Sequence, residues 1–486
     1  MKLFVIGHDF DYEMESLCRL FFPNEKITVL KENGEEAFTD QTLVYTVFDE
    51  NAITVKIITE NETLCDRVEE VSADEKEKSR QMAVALFGLF VKLTGFTPKW
   101  GILTGVRPVK LFRRLCKSSG IIYAANYFRD KLLVSQEKVS LAAETNGRES
   151  AIIETSLRKG FSLYISIPFC PTRCSYCSFV SQSIERAGKL IPQYVDLLVK
   201  EIAYTAQIAK QAGLTLQTVY MGGGTPTTLS AEQMGRVIDA VYENFDTSNM
   251  TEFTVEAGRP DTITPEKLQV IKSHGVERIS INPQTFNDSV LRAIGRKHTS
   301  AQTIEAMLLA RQTGFSNINM DIIAGLPTDT LEGFRHTLDC CFELDPESIT
   351  VHTLSIKRAS NLVYTGQAEY NSEGILVSDM VDTATKELFD HGFRPYYLYR
   401  QTRMLGNLEN TGWSKEGSEC LYNVFIMDET HTILACGAGG VTKMRQPDGD
   451  VIERIFNYKF PYEYINGFDQ MLKRKEKVLS FYEKFD

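Results

Sequence analysis

From about residue 160 the chain alternates strand-like and helical segments, and this alternation limits the possible folds more than any other feature. Apolar, β-branched runs predict strands over 162–168, 217–221, 251–256, 278–282, 317–323 and 348–354. Between and after them, apolar residues recur at helical spacing near 188–212, 230–245, 264–274, 300–313, 329–343 and 376–391. Six strand–helix units in succession imply parallel strands joined by right-handed crossovers. Six are too few to close an eight-stranded barrel. The expected class is therefore α/β, a partial six-stranded (β/α)6 barrel over 160–391. In such folds the chemistry sits at the carboxyl ends of the strands, which is where the motifs below fall.

The flanks read differently. Within 1–150, KLFVIG, KITVL, LVYTVF and AITVKIIT look like short strands, and DEKEKSRQMAVALFGLFVKLTG has helical spacing. This predicts an N-terminal α+β domain of unassigned role. Lys110, Arg113, Arg114 and Lys117 recur at helical spacing, as either a solvated basic face or a contact with an anionic partner. Within 392–486, CLYNVFIM, HTILACG and VIERIF look strand-like among turn residues, predicting a small accessory domain over the barrel mouth. The net charge of −11 argues against a general nucleic-acid binder but leaves room for a local basic pocket. The opening MKLFVIGHDFDYEMES has acidic residues too early for a secretion signal, and no apolar run nears 18 residues. With ten cysteines and no such signal, the expectation is a reducing cytoplasm and no membrane span.

Three of those cysteines, Cys170, Cys174 and Cys177, share the short loop CPTRCSYC directly after the first predicted strand. Structural zinc needs four ligands, and no fourth Cys or His lies near, the next His being His274. Three thiolates on one loop instead suit three corners of a four-iron, four-sulfur cube, leaving one iron open. The other seven cysteines are scattered and read as small buried hydrophobes. Tyr164 lies on the first strand, and Tyr176 sits between two of the loop cysteines. The second strand ends in MGGGTPT, where Gly223, Gly224 and Thr225 can expose backbone to a ligand or simply make a tight turn. Glu256 and Gln284 lie at later strand ends, with Arg296 following in GRKH, and Asp321 is a polar residue inside the apolar strand INMDIIAGLP. Each alone fits a structural hydrogen bond, and together they fit a polar ring around one barrel mouth. His298, His336, His352 and His431 are not spaced as a metal site; only His352 falls near a strand end.

In order and spacing, YISIPFCPTRCSYC, MGGGTPTTL, FTVEAGRP, RISINPQTF and NMDIIAGLP resemble the radical S-adenosylmethionine (SAM) proteins called oxygen-independent coproporphyrinogen III oxidases and their relatives. The match is close over about 160–360, and the long N-terminal domain with the tail LGNLENTGWSKEGSECLYNVFIM is similar to the HemZ-type coproporphyrinogen dehydrogenase subgroup. The resemblance implies one 4Fe–4S cluster on Cys170, Cys174 and Cys177. It implies SAM against Tyr164, Tyr176, Gly223, Gly224, Thr225, Glu256, Gln284, Arg296 and Asp321, and also against Ser355. It further implies a flavodoxin- or ferredoxin-like electron donor and a tetrapyrrole substrate, coproporphyrinogen III, converted to protoporphyrinogen IX by loss of two carboxyl groups. An anionic substrate calls for cations, and Arg358, Arg394, Arg400 and Arg403 are candidates.

The chain departs from the family pattern in three places. Phe179 stands where well-defined oxidases carry a further Cys. The stretch Tyr422, Asn423, Val424, Phe425, Ile426, Met427 lacks the heme-ligating His of the related heme chaperones. Asn282 and Pro283 replace the usual Gly and aliphatic residue, and the proline removes a backbone donor. A heme-binding or heme-trafficking protein, and a radical SAM methyltransferase acting on another substrate, stand as the alternatives.

Overall fold

The structure, a computed structural model, describes residues 1–31, 41–49, 51–177, 181–355, 367–401 and 404–485, without the side chains of 367–373. The chain divides into two compact units. The first comprises Met1–Asn146, Tyr364–Ser378 and Tyr399–Glu409, and the second Gly147–Val363, Asp379–Leu398 and Asn410–Asp486.

In the first unit, β1 (Lys2–Ile6), β2 (Thr28–Leu30), β3 (Leu43–Asp49), β4 (Ala52–Ile58) and β5 (Thr63–Val68) form a sheet in the order β2-β1-β3-β4-β5. β1 runs parallel to both neighbours, whereas β3, β4 and β5 form an antiparallel meander. Alternation along β4 turns Ile53, Val55 and Ile57 to the core. Against it packs the helix Glu75–Thr94, which buries Met82, Leu86, Leu89 and Phe90. Asp74 caps the start of this helix by accepting the Glu77 N–H, and Gly95 ends it in the left-handed conformation. Phe90 stacks on Phe21 at 5.0 Å. Gly88 lies mid-helix with open space where a Cβ would go. Gly88→Ala is therefore expected to raise stability by about 1 kcal/mol, read as a higher midpoint in thermal unfolding.

The predicted basic helix is Pro108–Ser119. Arg114 and Lys117 are exposed on it, but Arg113 is buried, so its basic residues do not form one solvated face.

The second unit contains the strand–helix repeat. Its strands are β6 (Gly160–Ile167), β7 (Phe169–Cys170), β8 (Gln182–Ser183), β9 (Thr215–Gly223), β10 (Glu252–Glu256), β11 (Arg278–Ser280), β12 (Asn317–Ala324) and β13 (Ser348–Thr353). Beyond them come β14 (Arg394–Tyr399), β15 (Asn410–Ser414), β16 (Thr432–Cys436), β17 (Val441–Arg445) and β18 (Ile452–Phe456). β6, β9, β10, β11, β12 and β13 are consecutive parallel neighbours, each within a few residues of its predicted span. The outer edge of β6 pairs with β16 rather than with β13, so the barrel is partial.

Residue alternation separates the two faces of this sheet. Leu163, Ile165, Val219, Met221, Val255, Ile279, Ile318, Met320 and Ile349 are buried at one set of positions. The intervening positions carry Ser162, Tyr164, Thr218, Tyr220, Thr254, Glu256, Ser280, Asn319, Asp321, Thr350 and His352. The inner face is therefore polar, and hydrogen bonds span its strands: Asn319 donates to Ser280 Oγ at 3.1 Å and accepts from Ser348 and Thr350.

The tail corrects one expectation. CLYNVFIM, read as strand-like, forms the helix Leu421–Asp428. Half-buried Glu252 accepts the Leu421 N–H at 2.7 Å and the Tyr422 N–H at 3.2 Å, supplying acceptors for free helix-start donors. HTILACG and VIERIF do form strands, β16 and β18, which continue the main sheet. No helix among the described residues is long and apolar enough to cross a membrane.

Candidate functional site

The cysteine loop begins where β6 ends. Cys170 is on β7; Cys174 is buried, and Cys170 and Cys177 are half-buried. The Cys177 N–H donates to the Cys174 carbonyl at 3.2 Å, which winds the loop into a turn. The glycine turn after β9 is stitched to this loop. Gly224 N–H donates to Ile167 O at 2.7 Å, and Thr225 N–H to Phe169 O at 2.8 Å. A Cβ on Gly224 would lie 2.6 Å from Phe169 O and 3.0 Å from Cys170 Sγ, so only glycine allows this approach. Gly223 adopts φ +108°, which also favours glycine. Thr225 Oγ1 lies 3.6 Å from Cys170 Sγ and donates toward it.

Arg259 approaches the second cysteine: its Nη1 is 4.0 Å from Cys174 Sγ and 3.1 Å from Thr172 Oγ1, while its Nε and Nη2 donate to the two carboxylate oxygens of Asp261 at 2.9 Å each. Arg259 lies inside the TVEAGRP segment and is buried; its sequence signal is a cation three residues past the strand-end Glu256.

Tyr176 is held between two strand ends. Its hydroxyl donates to Gln284 Oε1 at 3.3 Å and accepts from Arg296 Nη2 at 3.1 Å. Arg296 Nη1 donates to Asn282 O at 3.3 Å, while its buried Nε has no partner among the described residues. Gln284 has φ +67° and exchanges backbone hydrogen bonds with β12, to Asp321 O and from Ile323 N. Pro283 therefore does not detach this segment from the sheet. His298 is buried nearby, and burial, together with Arg296 and Arg259, pushes it down to about 4.

Two carboxylates, Glu256 at the end of β10 and Asp321 within β12, have opposite leanings. Tyr220 donates to Glu256 Oε1 at 2.6 Å. Burial pushes Glu256 up to about 7; Tyr220 opposes this, Asp321 adds to it, and the Gly223 N–H and His352 oppose it. Asp321 is also pushed up by burial, but His352, Asn319 and Thr350 outweigh that and hold it below its ordinary range. His352 Nε2 is 3.7 Å from Asp321 Oδ2, and Asn319 donates to Oδ1 at 2.8 Å. Environments that separate two acids in this way let one keep a proton while the other stays charged.

The raised Glu256 has a stability consequence with a defined sign. Its ordinary value is 4.5 and its folded value about 7, so between them the folded chain holds a proton that the unfolded chain has lost. Stability contributed by this group is therefore full below about pH 4.5 and falls as pH rises to about 7. Glu256→Gln is expected to flatten that slope and to gain roughly 1–3 kcal/mol at pH 8, measured by urea unfolding across the window.

Tyr164 stacks beside Tyr220 with ring centres 6.4 Å apart, and Tyr422 packs on Tyr220 at 4.5 Å. Ser355 lies just past β13, at the border of the described residues, and Phe179 lies outside them. Of the candidate cations, Arg394 donates to the Phe389 and Phe393 carbonyls and Arg400 to the Leu103 carbonyl, so backbone engages both. Arg358 and Arg403 lie outside the described residues.

Among the described residues, no three His, Cys, Asp or Glu side chains converge tightly enough for one metal ion. A 4Fe–4S cube needs no such convergence, because each thiolate meets its own iron. The donor set fits the cube: three thiols on one loop, a close-packed glycine turn against the first, and a guanidinium beside the second.

Residues 164–341 match the Radical SAM superfamily. The chain is 41% identical over 414 residues to the oxygen-independent coproporphyrinogen-III oxidase-like protein HemZ of Bacillus subtilis, spanning 83% of this chain and 82% of that protein. It is 33% identical over 261 residues to the heme chaperone HemW of the same organism, spanning 52% of this chain and 67% of that one. Its fold is similar to that of the coproporphyrinogen III oxidase HemN from Escherichia coli, with a TM-score of 0.50, 24% identity, and coverage of 66% and 73% of the two chains.

Proposed function

Because the chain belongs to the HemZ family of oxygen-independent coproporphyrinogen-III oxidase-like proteins, within the radical SAM superfamily, we propose that it is an oxidoreductase that decarboxylates propionate side chains of coproporphyrinogen III without oxygen. One observation carries the reading. The cysteine loop, the glycine turn, Glu256, and Gln284 with Arg296 lie at the carboxyl ends of successive strands of one partial barrel, and Asp321 lies on the inner face of the next strand, β12. Radical SAM proteins use a 4Fe–4S cluster and SAM, which together supply reductive SAM cleavage and hydrogen-atom abstraction from substrate carbon.

In this reading Cys170, Cys174 and Cys177 hold the cluster, with Arg259 and the Thr225 hydroxyl tuning two of the thiolates. Gly223, Gly224 and Thr225 present backbone to the amino-acid end of SAM. Glu256 and Asp321 accept from its hydroxyl or amino groups. Arg296 and Gln284 fix the Tyr176 ring beside the cluster, Tyr164 lines the inner face, and Ser355 adds a contact at the end of β13. Per propionate, loss of carbon dioxide, one hydrogen atom and one electron leaves a vinyl group; the hydrogen atom passes to SAM, cleaved with one electron from the donor to methionine and 5′-deoxyadenosine, and the remaining electron passes to an electron acceptor. A flavodoxin- or ferredoxin-like protein supplies the reductant. The tail helix Leu421–Asp428 brings Tyr422 onto Tyr220 at the inner face of the sheet.

The test is anaerobic incubation of reconstituted protein with SAM, reductant and coproporphyrinogen III. The expected result is SAM-dependent loss of two carboxyl groups, seen by mass spectrometry. SAM cleavage with no decarboxylated tetrapyrrole would overturn the substrate assignment. The likeness to HemW favours a second reading, heme binding on the same fold. Stoichiometric heme binding without turnover would select it.

A further inference from the structure

We propose that Tyr220, braced by Tyr422, is a positioning residue that fixes the orientation and charge of Glu256 for a ligand hydroxyl. The inference rests on the reading that Glu256 meets SAM.

The contacts form a closed cycle that starts and ends on β10. Glu252 and Glu256 are four residues apart on that strand and share its inner face. Glu252 accepts the N–H groups of Leu421 and Tyr422, which pins the start of the tail helix. The Tyr422 ring then packs on Tyr220 at 4.5 Å, with the planes 20° apart. The Tyr220 hydroxyl returns to Glu256 Oε1 at 2.6 Å. On its other side Glu256 lies over the glycine turn: a Cβ on Gly222 would come within 2.9 Å of its carboxyl carbon and of Tyr220 Cε1. One carboxylate oxygen is thus committed to Tyr220, and the rotamer is held from two sides. A carboxylate held in this way need not reorganise when a ligand arrives.

The cycle also bears on charge. An O–H donor favours the ionised carboxylate, and Tyr220 lowers Glu256 against its burial. The titratable groups facing Glu256 are Tyr164 from β6, Tyr220 from β9, Asp321 from β12, His352 from β13 and Tyr422 from the tail helix. Of these, Tyr220 is the one bonded to it directly.

Two measurements test this. The first is SAM affinity of the reconstituted protein by equilibrium dialysis, from about pH 5.5 to 8.5. The second needs no cofactor: the pH dependence of urea unfolding for the protein without its cluster. In Tyr220→Phe, SAM binding at neutral pH is expected to weaken roughly tenfold, the loss of one hydrogen bond to a charged group. The pH midpoints of both binding and stability are expected to move upward. Tyr422→Ala should move both midpoints the same way, which a purely structural brace would not do. If Glu256→Ala loses SAM binding while the midpoints of Tyr220→Phe and Tyr422→Ala match the wild type, this proposal falls alone. If Glu256→Ala binds SAM normally, the ligand role of Glu256 falls and the proposal falls with it.

Discussion

Gly224→Ala is expected to cost the protein most of its iron–sulfur loading. The added methyl group would lie 2.6 Å from Phe169 O, 2.9 Å from Ile167 O and 3.0 Å from Cys170 Sγ. Two of those atoms are backbone carbonyls that already accept hydrogen bonds, Ile167 O from Gly224 N and Phe169 O from Thr225 N. Neither can yield without opening the join between β6 and the glycine turn. The first cysteine would be displaced with it. The direct cost of such overpacking is roughly 1–3 kcal/mol of stability, but the larger effect falls on function, because the displacement acts on a cluster ligand. Iron and sulfide assays after anaerobic reconstitution, with thermal unfolding alongside, check this. A variant that loads iron like the wild type would show that the glycine is there for the turn alone. Gly88→Ala, in an open helical position, is the matched control.

Glu201→Ala is expected to be the most damaging single change far from the cysteines. Glu201 is fully buried on the helix Ile191–Gln211. Its carboxylate accepts from Gly437 N at 2.7 Å, Asn457 Nδ2 at 2.8 Å and Tyr464 Oη at 2.6 Å, and it pairs with Lys475 Nζ at 2.9 Å. Lys475 is itself 3% exposed, so truncating the acid leaves a buried ammonium with the Ala435 carbonyl but without its counter-charge, and removes an acceptor from three donors. Breaking a buried pair from one side costs roughly 3–5 kcal/mol. For a unit of this size, that lowers the thermal midpoint by on the order of 10 °C. Glu201→Gln keeps two acceptor positions and should lose less. Since Glu201 ties the final helices to β16, beside β6, limited proteolysis should cut the last 30 or so residues of Glu201→Ala first.

The strand–helix repeat was legible because each strand has one buried face and each helix one apolar stripe, a pattern that survives in the sequence. Cys170, Cys174 and Cys177 were legible for a different reason, as ligands confined to one loop. The tail was harder to read. Leu421, Tyr422, Val424 and Phe425 form a short apolar run that suits a buried strand or a buried helix equally. Glu252, about 170 positions earlier, decides for the helix by accepting its first N–H groups. No local pattern encodes that contact. Likewise, β16 as the parallel neighbour of β6 depends on a pairing between residues some 270 positions apart. Tyr220 escaped notice because a tyrosine within a strand reads as packing until its hydroxyl is seen on Glu256. Arg113 reads as one of four surface cations in a helical row, yet it is buried.

The most direct measurement is electron paramagnetic resonance of the anaerobically reconstituted, reduced protein, before and after SAM is added. The account predicts a 4Fe–4S signal that SAM alters, because one iron is left open by Cys170, Cys174 and Cys177. It predicts loss of that signal when any one of the three is replaced by alanine. A reduced cluster whose signal ignores SAM, or one that survives all three substitutions, would contradict it.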